Sequence, residues 1–287
     1  MLPSGKKPSV CRAAWWGCAA SVLMALAGCT SHEVTVTIKS VEGAKKGGET
    51  KTDDTTGAPA GYGNLVGKVT FTGSAPALAQ LVGKGDPVKD AAVCSAVAIP
   101  DESLVVNSAN QGIANVVIFL DKPKFIKPEL KAAPTKPAIF DQKGCRFFPH
   151  MLIVRVGQPV AILNDDSSAH NTHTKPDRNS EFNSTIPINE RVGLVQFKYT
   201  LAEGYPIPVK CDLHSWMKAY HFPIDHPYVA VTDADGNFRI DGLPAGKHSF
   251  KVWQEKVREF LDRKLEVTIE ADKDTPLNLK YSDAKFK

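Results

Sequence analysis

Residues 211–217 read Cys-Asp-Leu-His-Ser-Trp-Met, and residues 164–173 read Asn-Asp-Asp-Ser-Ser-Ala-His-Asn-Thr-His. Together they offer a thiolate, imidazoles and a thioether, which are soft or borderline ligands that suit copper in both oxidation states. Calcium or magnesium would require oxygen ligands instead. The spacing Cys-x2-His-x2-Met indicates a compact loop between two strands, with one more ligand at a neighbouring strand end. We therefore expect one metal ion to be bound by Cys211, His214, Met217 and His170.

The segments around these motifs have the pattern of β-strands separated by Gly- and Pro-containing turns. In this region strands are expected at residues 138–140, 151–156, 159–164, 192–198 and 207–211. Gly236, which follows Asp-Ala-Asp, is expected to supply the positive φ of a tight hairpin. No segment shows sustained helical periodicity, and residues 255–263 are the only helix candidate. The sequence thus predicts an all-β fold.

At these residues the chain resembles the cupredoxins, and amicyanin-type proteins most closely. Those proteins share the short Cys-x2-His-x2-Met loop and a segment that reads Asn, five residues, then His-Asn-x-His. The resemblance implies a Greek-key β-sandwich with one type 1 copper. Cys211 would be the equatorial thiolate, His170 and His214 the equatorial imidazoles, and Met217 the axial thioether.

The resemblance also assigns roles next to the metal. Asn171 would tether the ligand loop. Trp216, inside that loop, departs from the family pattern and is expected to shield the metal. Electrons would enter through a partly exposed edge of His214.

Some alternatives for the metal site remain open. His150 is either a surface or hydrogen-bonded histidine or an extra ligand, and His173 is expected to point away from the site along its strand. A zinc site would use Cys and His ligands, but zinc rarely takes a thioether.

The N-terminus has the pattern of an export signal. Three cations, Lys6, Lys7 and Arg12, precede an apolar run that is too short to span a membrane comfortably. Residues 26–29, Leu-Ala-Gly-Cys, resemble the bacterial lipobox, which implies cleavage before Cys29 and acylation of that residue. Residues 1–28 would be the signal peptide and residues 29–61 a flexible tether. The protein would be exported and anchored in a membrane, on the periplasmic side or the cell surface.

The cysteines suggest one cross-link. Of the six cysteines, Cys11 and Cys18 would leave with the signal peptide. With Cys29 acylated and Cys211 reserved for metal, Cys94 and Cys145 are left in an oxidising compartment. We expect them to form a disulfide, with two separate buried thiols as the alternative.

A second domain is suggested by residues 231–252, which resemble the carboxypeptidase regulatory-like family. That family has a small transthyretin- or immunoglobulin-like β-sandwich. Residues 62–134 and 225–287 would form it, and residues 135–224 would form the cupredoxin domain inserted between them.

Charge and motifs narrow the function. Removing the three leader cations from a net charge of +4 leaves +1 on the mature chain, which disfavours a nucleic-acid partner. Hydrolase and phosphate-binding motifs are absent from the sequence, so an enzyme is not expected. The sequence favours a one-electron carrier that works with a redox partner protein. The alternatives are a copper storage or delivery lipoprotein and a structural surface module without metal.

Overall fold

The computed structural model describes residues 58–257 and 260–287 of the chain. The predicted signal peptide, Cys29 and most of the predicted tether lie outside them. The described residues form strands β1 (Tyr62–Thr72), β2 (Gln80–Val82), β3 (Ile99–Pro100), β4 (Val117–Leu120), β5 (Ala138–Gln142), β6 (Phe147–Phe148), β7 (Met151–Arg155), β8 (Pro159–Ile162), β9 (His170–Thr174), β10 (Asn183–Ile186), β11 (Val195–Lys198), β12 (Ile207–Lys210), β13 (Lys218–Ile224), β14 (Val229–Val231), β15 (Asn237–Pro244), β16 (Gly246–Trp253), β17 (Phe260–Ile269) and β18 (Asp274–Ser282). One short helix, α1 (Ala91–Cys94), and 3₁₀ turns at Pro128–Leu130 and Asp283–Lys285 complete the described elements. The predicted all-β fold is confirmed.

Two pairs of sheets contain nearly all the strands. The central sandwich, residues 138–224, has a five-stranded sheet of order β10-β9-β12-β13-β7 and a four-stranded sheet of order β11-β8-β5-β6. The flanking sandwich has sheets of order β15-β1-β18 and β14-β4-β16-β17. Its strands β1 and β4 precede the central sandwich in the chain, and β14 to β18 follow it. The exact domain boundaries remain a prediction.

Strand β4 joins the interiors of the two sandwiches. Its sequence Val-Ile-Phe-Leu is buried at every position. Because successive side chains point to opposite faces, Ile118 and Leu120 pack in the core of the flanking sandwich. Val117 and Phe119 instead pack with Phe222 of β13 in a cluster shared by both sandwiches. This arrangement explains why the run is continuously apolar.

Two local expectations had different outcomes. The turn at Gly236 is present with φ of 81°, and a Cβ there would lie 2.3 Å from the Val69 carbonyl oxygen. The expected hairpin is wrong, however, because β14 pairs with β4 and β15 pairs with β1 in a different sheet. The helix candidate at residues 255–263 is wrong, because Glu255 and Lys256 lie in a turn and β17 begins at Phe260. Pairing of β17 with β16 outweighs the weak local helical preference.

The segment between β2 and β3, residues 83–98, lies over one end of the central sandwich, and we call it the cover segment. Cys94, at the end of α1, is bonded to Cys145 of the central sandwich, with Cα atoms 5.1 Å apart. The flanking residues Val82 and Ile99 are buried in the same apolar cluster as Cys145. Among the described residues, no helix has the length and apolar character needed to cross a membrane.

Candidate metal centre

The predicted ligand loop directly follows β12. Cys211 comes after the last residue of that strand, and β13 begins immediately after Met217. The Cys211 amide donates to the Met217 carbonyl at 3.2 Å, and the Met217 amide donates to the His214 carbonyl at 3.0 Å. The β12–β13 hairpin therefore closes on itself and turns these side chains to the end of the sandwich.

His170 reaches the loop from a neighbouring strand. It is the first residue of β9, which pairs with β12. The Nδ1 atoms of His170 and His214 are 3.0 Å apart, and Cys211 Sγ is 3.8 Å from Nδ1 of His214. One ligand atom from each of these three residues lies within 4.8 Å of the other two. None of the three side chains is exposed beyond 2 %, and Met217 is also buried.

Each imidazole is oriented by a carboxylate on its other nitrogen. His170 Nε2 lies 2.8 Å from Asp166 Oδ2, and His214 Nε2 lies 2.9 Å from Asp90 Oδ2. With a proton on Nε2, each imidazole would present its Nδ1 lone pair to a metal ion. Histidines that bind metals in proteins are commonly held in this way.

The Asp166 carboxylate is itself fixed by the backbone. It accepts hydrogen bonds from the Gly144 amide at 2.6 Å and the Cys145 amide at 2.8 Å. Burial raises the pKa of Asp166, but these hydrogen bonds and the one to His170 outweigh it and lower the pKa below its ordinary value. The turn between β5 and β6, which contains Gly144 and the disulfide-bonded Cys145, thus positions His170 through Asp166.

The electrostatics of the cluster favour a thiolate. Burial raises the pKa of Cys211, but hydrogen bonds from both imidazoles and the Asn171 amide lower it to about 6. Burial likewise lowers the pKa of His170, but hydrogen bonds to Asp166 and to the sulfur raise it above its ordinary value. A thiolate is the form of cysteine that binds metals.

Asn171 links the two ligand segments, as the resemblance implies. Its backbone amide lies 3.4 Å from Cys211 Sγ, and its side-chain oxygen accepts the Asp212 amide at 2.6 Å. Its side-chain nitrogen donates to the Asp212 carboxylate at 3.0 Å. Trp216 lies with its ring 5.2 Å from the His214 ring, measured between centroids.

The other histidines lie outside this cluster. His173 contacts Asp212 at 2.7 Å and Glu181 at 3.1 Å. His150 Nε2 contacts Glu255 at 2.6 Å. Among the described residues, a second group of three donor side chains is formed by Cys145, Asp166 and His170, but its cysteine is in the disulfide.

The expectation that an edge of His214 is partly exposed is wrong. His214 has no exposed surface, because Asp90 of the cover segment lies on its Nε2. Asp90 adopts a left-handed conformation with φ of 55° and also accepts a hydrogen bond from Ser168. These hydrogen bonds lower the pKa of the Asp90 carboxyl.

Sequence reasoning missed both carboxylates that hold the imidazoles. Asp166 carries a weak signal, because it precedes a candidate ligand by four positions. Asp90 carries none, since it lies far from the ligands in the sequence and belongs to a segment without a motif.

Comparisons with protein-family models and with curated proteins found no match. Among solved structures, a copper-containing nitrite reductase from Thermus scotoductus is similar over 36 % of this chain and 25 % of its own length, at 19 % identity and a TM-score of 0.28. A purple cupredoxin from Nitrosopumilus maritimus matches 30 % of this chain and 99 % of its own, at 20 % identity and a TM-score of 0.24. Amicyanin from Paracoccus versutus matches 37 % and 97 %, at 12 % identity and a TM-score of 0.26. These similarities are partial, and the functional interpretation depends on the geometry of the cluster.

Proposed function

We propose that this protein binds one copper ion through His170, Cys211, His214 and Met217 and acts as a one-electron carrier. The observation that carries the proposal is the buried convergence of two Nδ1 atoms and a sulfur within 4.8 Å of one another. Two neutral imidazoles, a thiolate and a thioether fit copper better than zinc, which rarely takes a thioether. Bound copper would supply reversible one-electron exchange.

The residues around the cluster support a rigid site. Asp166 and Asp90 fix the two imidazole rings, and Asn171 fixes the cysteine loop. Electron exchange is favoured when ligands need little rearrangement, and these contacts restrain them before metal binds. The low exposure of all four ligand side chains keeps bulk water away.

The same burial disfavours a storage or delivery role, which requires ready release of the metal. The two roles can be separated by a potentiometric titration of the copper-loaded chain that starts after Cys29. A carrier should show a reversible one-electron transition without loss of copper. Release of copper on reduction, or copper held only as Cu(I), would instead support storage or delivery.

The axial ligand has a matched control. Met217→Leu should change the reduction potential, because it removes the thioether from the site. Met151→Leu should not, because Met151 is also buried but packs in the cluster shared by the two sandwiches. Equal potentials for both variants would exclude Met217 as a ligand.

We further propose that the mature chain is exported, attached to a membrane through acylated Cys29, and exchanges electrons with a partner protein without an enzymatic activity of its own. The flanking sandwich would be a spacer or docking module. Metabolic labelling with a radioactive fatty acid tests the anchor, since Cys29→Ser should abolish incorporation of the label.

A further inference from the structure

The candidate copper site is closed where an approach to His214 was expected. The Asp90 carboxylate lies 2.9 Å from His214 Nε2, and that imidazole has no exposed surface. The disulfide of Cys94 to Cys145 fastens the cover segment to the central sandwich. A redox partner cannot touch the His214 ring while this segment is in place.

Another residue of the ligand loop, Trp216, is more exposed than His214. Trp216 is half-buried, and its ring centroid is 5.2 Å from that of His214. Among the described residues, the only other aromatic ring that packs against His214 is that of His170, and His170 has no exposed surface. Trp216 is therefore the aromatic side chain that connects a candidate ligand to the outside.

The outer part of Trp216 faces a cavity of about 330 Å³. Residues from both sandwiches line it, including Met217 and Tyr220 from the central sandwich and Glu255 from the flanking sandwich. A cavity of this size admits a small redox reagent or a side chain of a partner. Met217, a candidate ligand in the same lining, is almost fully buried, whereas Trp216 is only half-buried. Electron transfer slows steeply with distance, so contact with the more exposed Trp216 gives a short approach that does not displace the cover segment.

We propose that electrons reach the copper site through the Trp216 ring at this cavity, and that Asp90 is a positioning residue that closes the alternative approach at His214. This inference rests on the proposed copper function. The two residues that contact the His214 imidazole have different roles: Asp90 holds the ring in place, and Trp216 transfers electrons.

The test is stopped-flow reduction of the Cu(II) protein by hexaammineruthenium(II), followed by loss of the visible absorption band. Trp216→Leu should react about tenfold more slowly, which corresponds to a barrier higher by about 1.4 kcal/mol. Trp216→Phe should recover part of the rate, because it restores an aromatic ring. Leu213→Ala is the control, since Leu213 is 38 % exposed on the same loop but does not carry an aromatic ring.

Asp90→Gly tests the closed approach. Glycine accepts the left-handed conformation at this position, so the variant should keep the backbone while it removes the carboxylate. It should react faster than the wild type, and the double variant with Trp216→Leu should recover rate through the opened edge.

Rates are compared only among variants that keep the absorption band, and each is corrected for its measured reduction potential. Trp216→Leu and Trp216→Phe that both react at the wild-type rate would overturn the assignment of Trp216. Asp90→Gly that reacts no faster would overturn the closed approach. Absence of any band in the wild type would instead contradict the copper function itself.

Discussion

The core of the flanking sandwich and the ligand end of the central sandwich are both buried, but with different chemistry. The flanking core is a single cluster of aliphatic and aromatic side chains, among them Leu65, Ile118 and Phe250. The ligand end instead buries His170 and His214, and each imidazole has a carboxylate as a hydrogen-bond partner. Buried polar groups cost stability unless they are paired, so the ligand end is organised for binding and the flanking core for stability.

The largest effect expected from this comparison is on stability. Ile118→Ala should lower the free energy of unfolding by about 2–5 kcal/mol, because Ile118 has no exposed surface and the variant leaves a cavity. Copper binding by the molecules that remain folded should not change. Denaturant unfolding followed with and without copper measures both quantities. Loss of the copper site without loss of stability would contradict the division between the regions.

A smaller effect, on copper affinity, is expected at the ligand end. Asp166→Asn should weaken Cu(II) binding by about 10- to 100-fold, because it replaces the carboxylate that orients His170. Asp165→Asn is the matched control, since Asp165 is the adjacent residue and pairs instead with Lys143 and Arg191. Competition with a chelator of known affinity gives the comparison. Equal affinities for the two variants would show that Asp166 does not act on the site.

The third effect concerns a buried histidine that lacks a carboxylate. His221 makes a side-chain hydrogen bond through Nδ1 to the Tyr199 hydroxyl, at 2.9 Å. Burial lowers the pKa of His221 to about 3. In the unfolded chain its pKa would be about 6.5, so between these values the unfolded state binds a proton that the native state does not. Stability should therefore fall by up to about 1.4 kcal/mol per pH unit as the pH drops below about 6.5.

This dependence can be isolated by subtraction. The free energy of unfolding of the apo protein is measured with denaturant between pH 6.5 and 4. His221→Gln should reduce its dependence on pH by the contribution of one proton. His173→Gln is the control, because His173 is partly exposed and contacts the carboxylates of Glu181 and Asp212. If the slope of His221→Gln equals that of the wild type, burial of His221 does not depress its pKa.

The two regions also differ in how far the sequence predicts them. Cys211, His214 and Met217 are close in the chain, so their spacing alone predicts a loop, and His170 follows from a second motif. Asp90 could not be found, because its contact with His214 depends on the cover segment and on the disulfide of Cys94. The buried edge of His214 was missed for the same reason.

Strands were predictable where local pattern and tertiary pairing agree. The segments at residues 151–156 and 207–211, which the sequence predicts as strands, form β7 and β12, and both strands pair with β13. Around Phe260 the local pattern does not distinguish a helix from a strand. The strand forms there because Phe260 pairs with Trp253 of β16. Such pairing cannot be read from the residues of one segment.

The central claim is that a copper ion is bound by the Cys211 thiolate. The most direct measurement is the visible absorption spectrum of the oxidised, copper-loaded chain that starts after Cys29, beside Cys211→Ala and Cys211→Ser. We predict an intense band from thiolate-to-copper charge transfer towards the red end of the spectrum, and its loss in both variants. A wild-type protein that neither absorbs there nor retains copper would contradict the account.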